Sequence, residues 1–233
     1  MCLISYEKNF LFIHVPKTGG KSLGNVLVSV SEDPRTYLVN RLLEMIKIRV
    51  NHYGPYRSKR FRGHSTAATI RKHFPRDVYN SLFKFAIVRN PWDALVSQYH
   101  FVLESTNNKR HKQVKGKSFE EFIYWYLNKP NKGRQKQFVA DAQGNCIVDF
   151  VGRFESLAED TNYILDILGM EGQLSHIGPS KHRDYRTYYS DQLAEFVGDQ
   201  LADDAQFFGY NFDGIIHTPS YMQKVVKSQK VAA

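Results

Sequence analysis

The chain has 233 residues, of which 42% are hydrophobic and 24% charged, and these values fit one globular domain and exclude a disordered or fibrous protein. Its 32 Lys and Arg residues outnumber 23 Asp and Glu residues. The net charge of +9 favours an anionic partner: nucleic acid, an anionic membrane, or a phosphorylated or sulfated small molecule. Two cysteines exclude a disulfide framework, and neither a secretion signal nor a stretch of about 18 apolar residues is recognisable, so we expect a cytoplasmic protein without a transmembrane segment.

The first predicted element is a buried strand at 9–15, NFLFIHV, which is rich in aromatic and β-branched residues. The segment PKTGGKS at 16–22 ends this strand, and an amphipathic helix is predicted over 21–30. Glycines let backbone N–H groups turn inward and a helix N-terminus adds unsatisfied donors, so the segment is typical of an anion-binding loop. It is not a Walker A loop, which requires a glycine five positions before Gly20, where Val15 stands. A strand–helix turn with solvated lysines is the alternative interpretation.

A second predicted strand at 82–88, LFKFAIV, ends at Arg89 and is followed by a helix over about 90–103. Ser97 lies about two turns into that helix, so its hydroxyl can face Arg89. An arginine and a hydroxyl beside a helix start suit a phosphate dianion. The alternative is a surface arginine that pairs with Asp93, with Ser97 merely inside the helix.

The rest of the chain continues the alternation of strands and helices. The remaining predicted elements are loops at 49–64 and 104–117, a helix with a capping box at Ser118, a strand at 150–154, a helix from a second capping box at Ser156 to Gly169, a helix over 190–208 and a flexible tail at 218–233. This order predicts an α/β protein: one three-layer, P-loop-like domain over 1–233 with a central, mostly parallel sheet flanked by helices. In such sheets ligands bind at the carboxyl ends of the strands, where both motifs would lie.

Both motifs carry a resemblance to sulfotransferases that use 3′-phosphoadenosine 5′-phosphosulfate (PAPS). HVPKTGGKSL resembles the 5′-phosphosulfate loop of carbohydrate-type members, and VRNPWDALVSQYH resembles the 3′-phosphate motif, with its Arg and Ser at matching spacing. FVGRFESLAEDTNYILDILG and PSKHRDYRTYY are similar to later segments of small members, so the likeness extends over about 9–212. Lys21 departs from the pattern, because relatives more often carry a small hydroxyl residue there.

The resemblance implies transfer of a sulfuryl group from PAPS to an acceptor hydroxyl by in-line displacement, with lysine in place of a metal ion. It assigns stabilisation of the leaving phosphate to Lys17, contacts to the 3′-phosphate to Arg89 and Ser97, and a weaker contact to Arg153. The implied 5′-phosphate contacts are Lys17, Thr18, Gly19, Gly20, Lys21, Ser22 and Leu23. The segment implied to fold over the nucleotide contains Lys181, His182, Arg183 and Tyr185.

An attacking hydroxyl must lose a proton, so a base is expected. His64 precedes a predicted helix and matches a histidine of the 2-O-sulfotransferase-like branch, while His14, at the end of the first strand, is the alternative. A sugar hydroxyl is favoured as acceptor by resemblance, and a lipid or another small molecule stays open. The basic runs at 57–62 and 109–117 fit either an acidic acceptor or a solvated face.

Two rival functions are considered. A P-loop kinase or nucleotide hydrolase would use Lys21 and Ser22, but it requires a Walker loop and an acidic Mg²⁺ ligand after a second strand, where Arg89 stands. A basic nucleic-acid-binding protein would cluster its charge with exposed aromatic residues or show a known motif, and neither is visible in the sequence. We therefore expect no nucleic-acid partner, and the sequence does not indicate an oligomeric state.

Overall fold

The computed structural model describes residues 2–47, 52–53, 60–61, 63–107, 110–172 and 182–224. The strands are β1 (Leu3–Ser5), β2 (Phe10–Ile13), β3 (His52–Tyr53), β4 (Arg60–Phe61), β5 (Phe83–Val88), β6 (Phe150–Arg153), β7 (Tyr210–Asn211) and β8 (Gly214–Ile215). The helices are α1 (Gly20–Leu27), α2 (Leu38–Met45), α3 (Ala67–His73), α4 (Arg76–Ser81), α5 (Pro91–Glu104), α6 (His111–Val114), α7 (Phe119–Leu127), α8 (Lys136–Val139), α9 (Leu157–Leu168), α10 (Asp191–Gln200) and α11 (Ala202–Phe208). Short 3₁₀ turns occupy Val28–Val30, Pro34–Thr36, Tyr185–Tyr188 and Ser220–Met222.

The central sheet has four strands in the order β1-β2-β5-β6. β2, β5 and β6 are parallel, with Phe12 opposite Phe85 and Val88 opposite Arg153, and β1 joins the edge in the antiparallel direction. The predicted α/β fold with a mostly parallel sheet is confirmed, and the antiparallel edge strand is an addition that the sequence analysis missed. Pairs β3–β4 and β7–β8 form two small separate hairpins.

Helices cover both faces of this sheet. Phe10 and Phe12 of β2 pack on one face with Leu23 of α1 and Ile164 of α9. Because side chains alternate along a strand, Leu11 and Ile13 lie on the other face with residues of α3 and α11. Burial on both faces explains why the strands appear in the sequence as continuous apolar runs. A third apolar cluster joins α5, α7 and α10. In the described part of the chain, no helix has the length and apolar character needed to cross a membrane.

Three element predictions need correction. The helix expected over 190–208 is two helices that break at Leu201. Ser118 forms the expected capping box, but Ser156 makes no cap bond, since its hydroxyl donates to Asp160 at 2.9 Å. The flexible tail expected from 218 onward is wrong for 218–224, where Met222 is buried, and residues 225–233 lie outside the described residues.

The two predicted basic loops differ in how much the structure describes. In the first, 57–59 and 62 lie outside the described residues, and the backbone at 60–61 forms β4. The second contains the one-turn helix α6, and its residue 109 is outside the described part. Neither segment is therefore simply a loop.

Candidate active site

The loop after β2 and the residue after β5 lie at the same edge of the sheet, because the two strands are parallel. Lys17 has a left-handed backbone (φ 68°), and its Nζ lies 4.3 Å from the ring centroid of Phe101. Burial, together with the charges of Arg89 and Lys21, lowers the pKa of Lys17 to about 8. Lys17 is therefore a desolvated cation placed near a second cation, which is an arrangement that favours a bound anion.

Glycines are required at the start of α1 by both conformation and space. Gly19 is left-handed (φ 75°), and a Cβ on it would lie 2.6 Å from Cδ2 of Leu157. A Cβ on Gly20 would overlap the ring of His14. The N–H of Ser22 already donates to the Gly19 carbonyl at 2.9 Å. In the part of the chain that the structure describes, the N–H groups of Gly20 and Lys21 have no such acceptor, as expected at a helix N-terminus, and they can bind an anion.

Two predicted contacts of this loop need correction. The hydroxyl of Thr18 is buried and donates to the carbonyl of Val15 at 3.0 Å, so its proton serves the loop itself. Leu23 lies in the core, and its N–H donates to Gly19 at 3.4 Å. The backbone N–H groups of the loop, rather than the Thr18 hydroxyl, are thus available to bind an anion. Of the other two predicted side chains, Ser22 is half-buried and Lys21 is exposed.

Arg89 is buried, with its side chain only 4% exposed. Its Nε donates to Oδ2 of Asp93 at 2.6 Å, and its guanidinium carbon lies 4.0 Å from the ring centroid of Phe154. The alternative pairing with Asp93 is therefore present, but in the interior and not on the surface. Ser97 lies one turn beyond Asp93 on the same side of α5 and is half-buried.

The segment at 182–185 brings a histidine to this arginine. Nδ1 of His182 donates to the carbonyl of Arg183 at 2.8 Å, which leaves Nε2 as an acceptor 3.4 Å from Nη2 of Arg89. Tyr185 anchors the segment instead of facing a ligand, because its hydroxyl donates to the Phe212 carbonyl and burial raises its pKa to about 12. Arg183 is exposed, and Lys181 lies outside the described residues.

Arg153 is corrected from a possible ligand contact to a structural residue. Its Nη2 donates to the carbonyls of Phe208 at 2.7 Å and His217 at 3.0 Å, and its guanidinium lies 4.4 Å from the ring centroid of Tyr210. These partners belong to the C-terminal part of the chain, on the face of the sheet opposite Phe154. The side chain therefore points away from the loop at 16–22.

His64 has the protonation geometry of a base. Its Nδ1 lies 3.1 Å from the carbonyl of His14 and must donate to it, so Nε2 carries the free lone pair. Desolvation lowers the pKa of His64, which keeps the ring neutral at neutral pH. The ring of His14 is buried 4.7 Å from that of His64 and packs on Gly20. His14 thus supports both the loop and His64.

Comparisons with known proteins identify the family of this chain. A sequence model described as the sulfotransferase family matches residues 1–211. This chain belongs to the sulfotransferase family. Carbohydrate sulfotransferase 11 of Mus musculus is 31% identical over 40% of this chain, and the match spans only 35% of that relative's length. An uncharacterized protein of Archaeoglobus fulgidus is 30% identical over 45% of this chain and 82% of its own.

A solved structure shows the same fold. The crystal structure of mouse sulfotransferase SULT7A1, complexed with PAP, aligns with a TM-score of 0.53 over 87% of this chain and 86% of its own. At 14% identity this likeness supports the shared fold alone. The three-layer arrangement predicted from the sequence is therefore found in a solved sulfotransferase.

In the present chain, Lys17 lines a cavity of about 240 Å³. Lys17 and Gln98 line it from the sides of β2 and α5, and Tyr126 lines it from α7. The rest of the wall combines the apolar residues Val15, Pro16, Ala94 and Leu95 with a segment at 131–138, which contributes carboxamides, Lys132 and Arg134. Carboxamides, an aromatic ring and cations are groups that bind polar, hydroxyl-bearing ligands.

Cations gather at one side of this cavity. Lys132 and Arg134 line it, and burial together with the charge of Arg110 lowers the pKa of Lys132. The pKa of Lys129 is lowered by burial and by the charges of Arg110 and Lys132. Arg110 comes from the basic run predicted as a solvated face or an acceptor contact. The sequence analysis missed the segment at 131–138, because no motif marks it and only the fold brings it to Lys17.

Proposed function

We propose that this sulfotransferase transfers the sulfuryl group of PAPS to a hydroxyl of a carbohydrate. The observation that carries the proposal is the meeting of Lys17, the free N–H groups of Gly20 and Lys21, and Arg89 at one edge of the sheet. These donors fit a nucleotide with a phosphate at each end: the loop takes the 5′ end and Arg89 the 3′-phosphate. The PAP named in the mouse structure and the carbohydrate sulfotransferase relatives support the same donor and acceptor.

In the proposed reaction, one group of residues stabilises negative charge and a histidine accepts a proton. Nε2 of His64 accepts the proton of the acceptor hydroxyl as the new O–S bond forms. The S–O bond to the 5′-phosphate breaks, and the charge that develops on that oxygen is stabilised by Lys17 and the N–H groups of the loop. Lys17 and Arg89 supply the positive charge, so we propose that the reaction requires no metal ion.

The cavity beside Lys17 is proposed as the acceptor site. The carboxamides of Gln98 and Asn131 suit sugar hydroxyls, and because Lys17 lines the cavity, a hydroxyl bound there would lie near the reacting end of the nucleotide. Lys132 and Arg134 add positive charge that no described carboxylate neutralises through an ion pair. These cations favour an acidic glycan over a neutral one.

Two measurements test the proposal. Titration calorimetry in EDTA should show binding of adenosine 3′,5′-bisphosphate, and a preference for ATP with Mg²⁺ would support the kinase alternative instead. Sulfate transfer from labelled PAPS should then be compared between a carboxylated oligosaccharide and its carboxyl-reduced counterpart, which keeps the same linkages. Transfer to the carboxylated form alone supports the acidic glycan. Equal transfer contradicts the role of the cations, and transfer to neither, with nucleotide binding intact, contradicts the carbohydrate acceptor.

A further inference from the structure

The backbone of Arg89 is held by a side chain from a distant part of the chain. Oε1 of Gln135 accepts the Arg89 N–H at 3.0 Å, and Nε2 of Gln135 donates to the Arg89 carbonyl at 2.7 Å. Gln135 is 3% exposed, so neither bond competes with bulk water. One carboxamide thus satisfies both backbone groups of the residue proposed to bind the 3′-phosphate.

The geometry of the sheet explains why this position needs a side-chain partner. The carbonyl of Val88 accepts the N–H of Phe154, so Val88 faces β6. The next residue, Arg89, therefore turns its N–H and C=O toward β2. β2 has already ended at Ile13, so no strand remains to pair with them. The carboxamide of Gln135 replaces the missing strand, and without it two buried backbone groups would lose their partners.

Gln135 is itself fixed from both sides. Its own N–H and the N–H of Lys136 donate to Oδ1 of Asp204, the latter at 2.8 Å. Its carbonyl accepts the N–H of Phe138 at 2.9 Å. Every hydrogen-bonding group of Gln135 therefore has a protein partner. Gln135 therefore joins the cavity wall at 131–138 to the backbone of Arg89.

We propose that Gln135 is a positioning residue, which fixes the strand end at Arg89 and thereby sets the preference for a 3′-phosphorylated nucleotide. Gln135 does not touch the nucleotide; it acts through the backbone from which the Arg89 side chain leaves the sheet. The inference rests on the proposed function, because it presumes that Arg89 binds the 3′-phosphate.

The test measures the affinities of the full chain for adenosine 3′,5′-bisphosphate and for adenosine 5′-monophosphate, which lacks the 3′-phosphate. Gln135→Ala should weaken binding of the bisphosphate about tenfold and of the monophosphate far less. Gln135→Met keeps the side-chain length and adds no charge but loses both bonds to the Arg89 backbone, so its losses should match those of Gln135→Ala. In an Arg89→Ala background, neither substitution should weaken bisphosphate binding further.

Gln137→Ala is the matched control. Gln137 also lines the cavity, but its Nε2 donates to the carbonyls of Asn131 and Arg134 and makes no bond to Arg89. It should leave the ratio of the two nucleotide affinities unchanged. Equal losses for both nucleotides, or losses that add to that of Arg89→Ala, would overturn the inference. If Gln135→Ala does not fold, Gln135→Met decides. Failure of the wild-type protein to bind the bisphosphate would instead contradict the proposed function.

Discussion

Arg89 and Arg153 stand at the ends of two neighbouring parallel strands, and both are buried, yet their side chains do different work. Arg89 lies near Lys17, whose pKa its charge lowers. Arg153 donates to the carbonyls of Phe208 and His217 and ties the C-terminal part of the chain to the sheet. Arg153 thus serves the fold, whereas Arg89 is the arginine that we propose to bind a ligand.

The difference follows from a single step along the strand. Arg153 pairs with Val88, and Arg89 is the residue after Val88. Since successive side chains alternate between the faces of a sheet, the two guanidinium groups leave on opposite faces. An arginine at the carboxyl end of a strand is therefore not always a ligand contact. Its role also depends on the face of the sheet on which its side chain lies.

The largest expected effect is at Lys17, the proposed counter-charge of the leaving phosphate, whose burial disfavours its charged form. Lys17→Met should lower turnover about 1,000-fold, because the developing negative charge loses its buried counter-charge. Since folding lowers the pKa of Lys17, the charged form is disfavoured in the folded protein at neutral pH. The variant should therefore gain about 1 kcal/mol of stability, after allowance for solvent screening.

Steady-state kinetics and thermal melting measure the two effects at Lys17. Between pH 8 and 10.5 the unfolded chain binds the Lys17 proton and the folded protein does not, so wild-type stability should rise with pH there. The variant should lack this rise. Lys21→Met, at the exposed lysine four residues on, is the control and should change both quantities less. Lower stability in Lys17→Met would contradict the assignment.

The next largest effect is expected at Arg89. Arg89→Ala should weaken binding of adenosine 3′,5′-bisphosphate about 100-fold, since charge-assisted hydrogen bonds to a phosphate contribute about 1.5–3 kcal/mol each. Binding of adenosine 5′-monophosphate should change little. Titration calorimetry gives both affinities. Equal losses for the two nucleotides would mean that Arg89 serves the fold, as Arg153 does.

Arg153→Met should show the opposite behaviour. The variant removes the donor of the buried Phe208 carbonyl and of the partly buried His217 carbonyl and keeps most of the side-chain volume, so we expect a loss of about 2 kcal/mol in the free energy of unfolding. Denaturant unfolding measures this loss. The ratio of affinities for the two nucleotides should remain that of the wild type, and a change in the ratio would return Arg153 to the candidate site.

The sequence was sufficient to predict those structural elements that depend on one short segment of the chain. The strand at 82–88 and the helix over about 90–103 follow from local patterns, and the structure confirms both elements as β5 and α5. Pattern analysis also placed the loop and Arg89 at one edge of the sheet, because parallel strands require it.

The sequence was insufficient where a role depends on a face or on a distant partner. Arg153 was predicted as a ligand contact because the sequence shows that it follows a strand but does not show on which face of the sheet its side chain lies. Gln135 was missed because its partner, Arg89, is 46 residues away and its helix, α8, has only four residues. The hydroxyl of Thr18 was assigned to a ligand because only coordinates reveal its bond to Val15.

The smallest effect separates the proposed roles of Lys17 as the cation and His64 as the base, through the pH dependence of kcat/KM for the nucleotide. Lys17 must be charged, so activity should fall as pH rises above about 8. His64 must be neutral, so activity should also fall on the acid side, below its lowered pKa. Lys17→Arg keeps the charge and should remove the alkaline fall, because arginine stays protonated.

His64→Ala should lower kcat and remove the acid fall while nucleotide affinity is kept. An unchanged acid fall in that variant would assign the base to another group, with His14, 4.7 Å away, as the first to test.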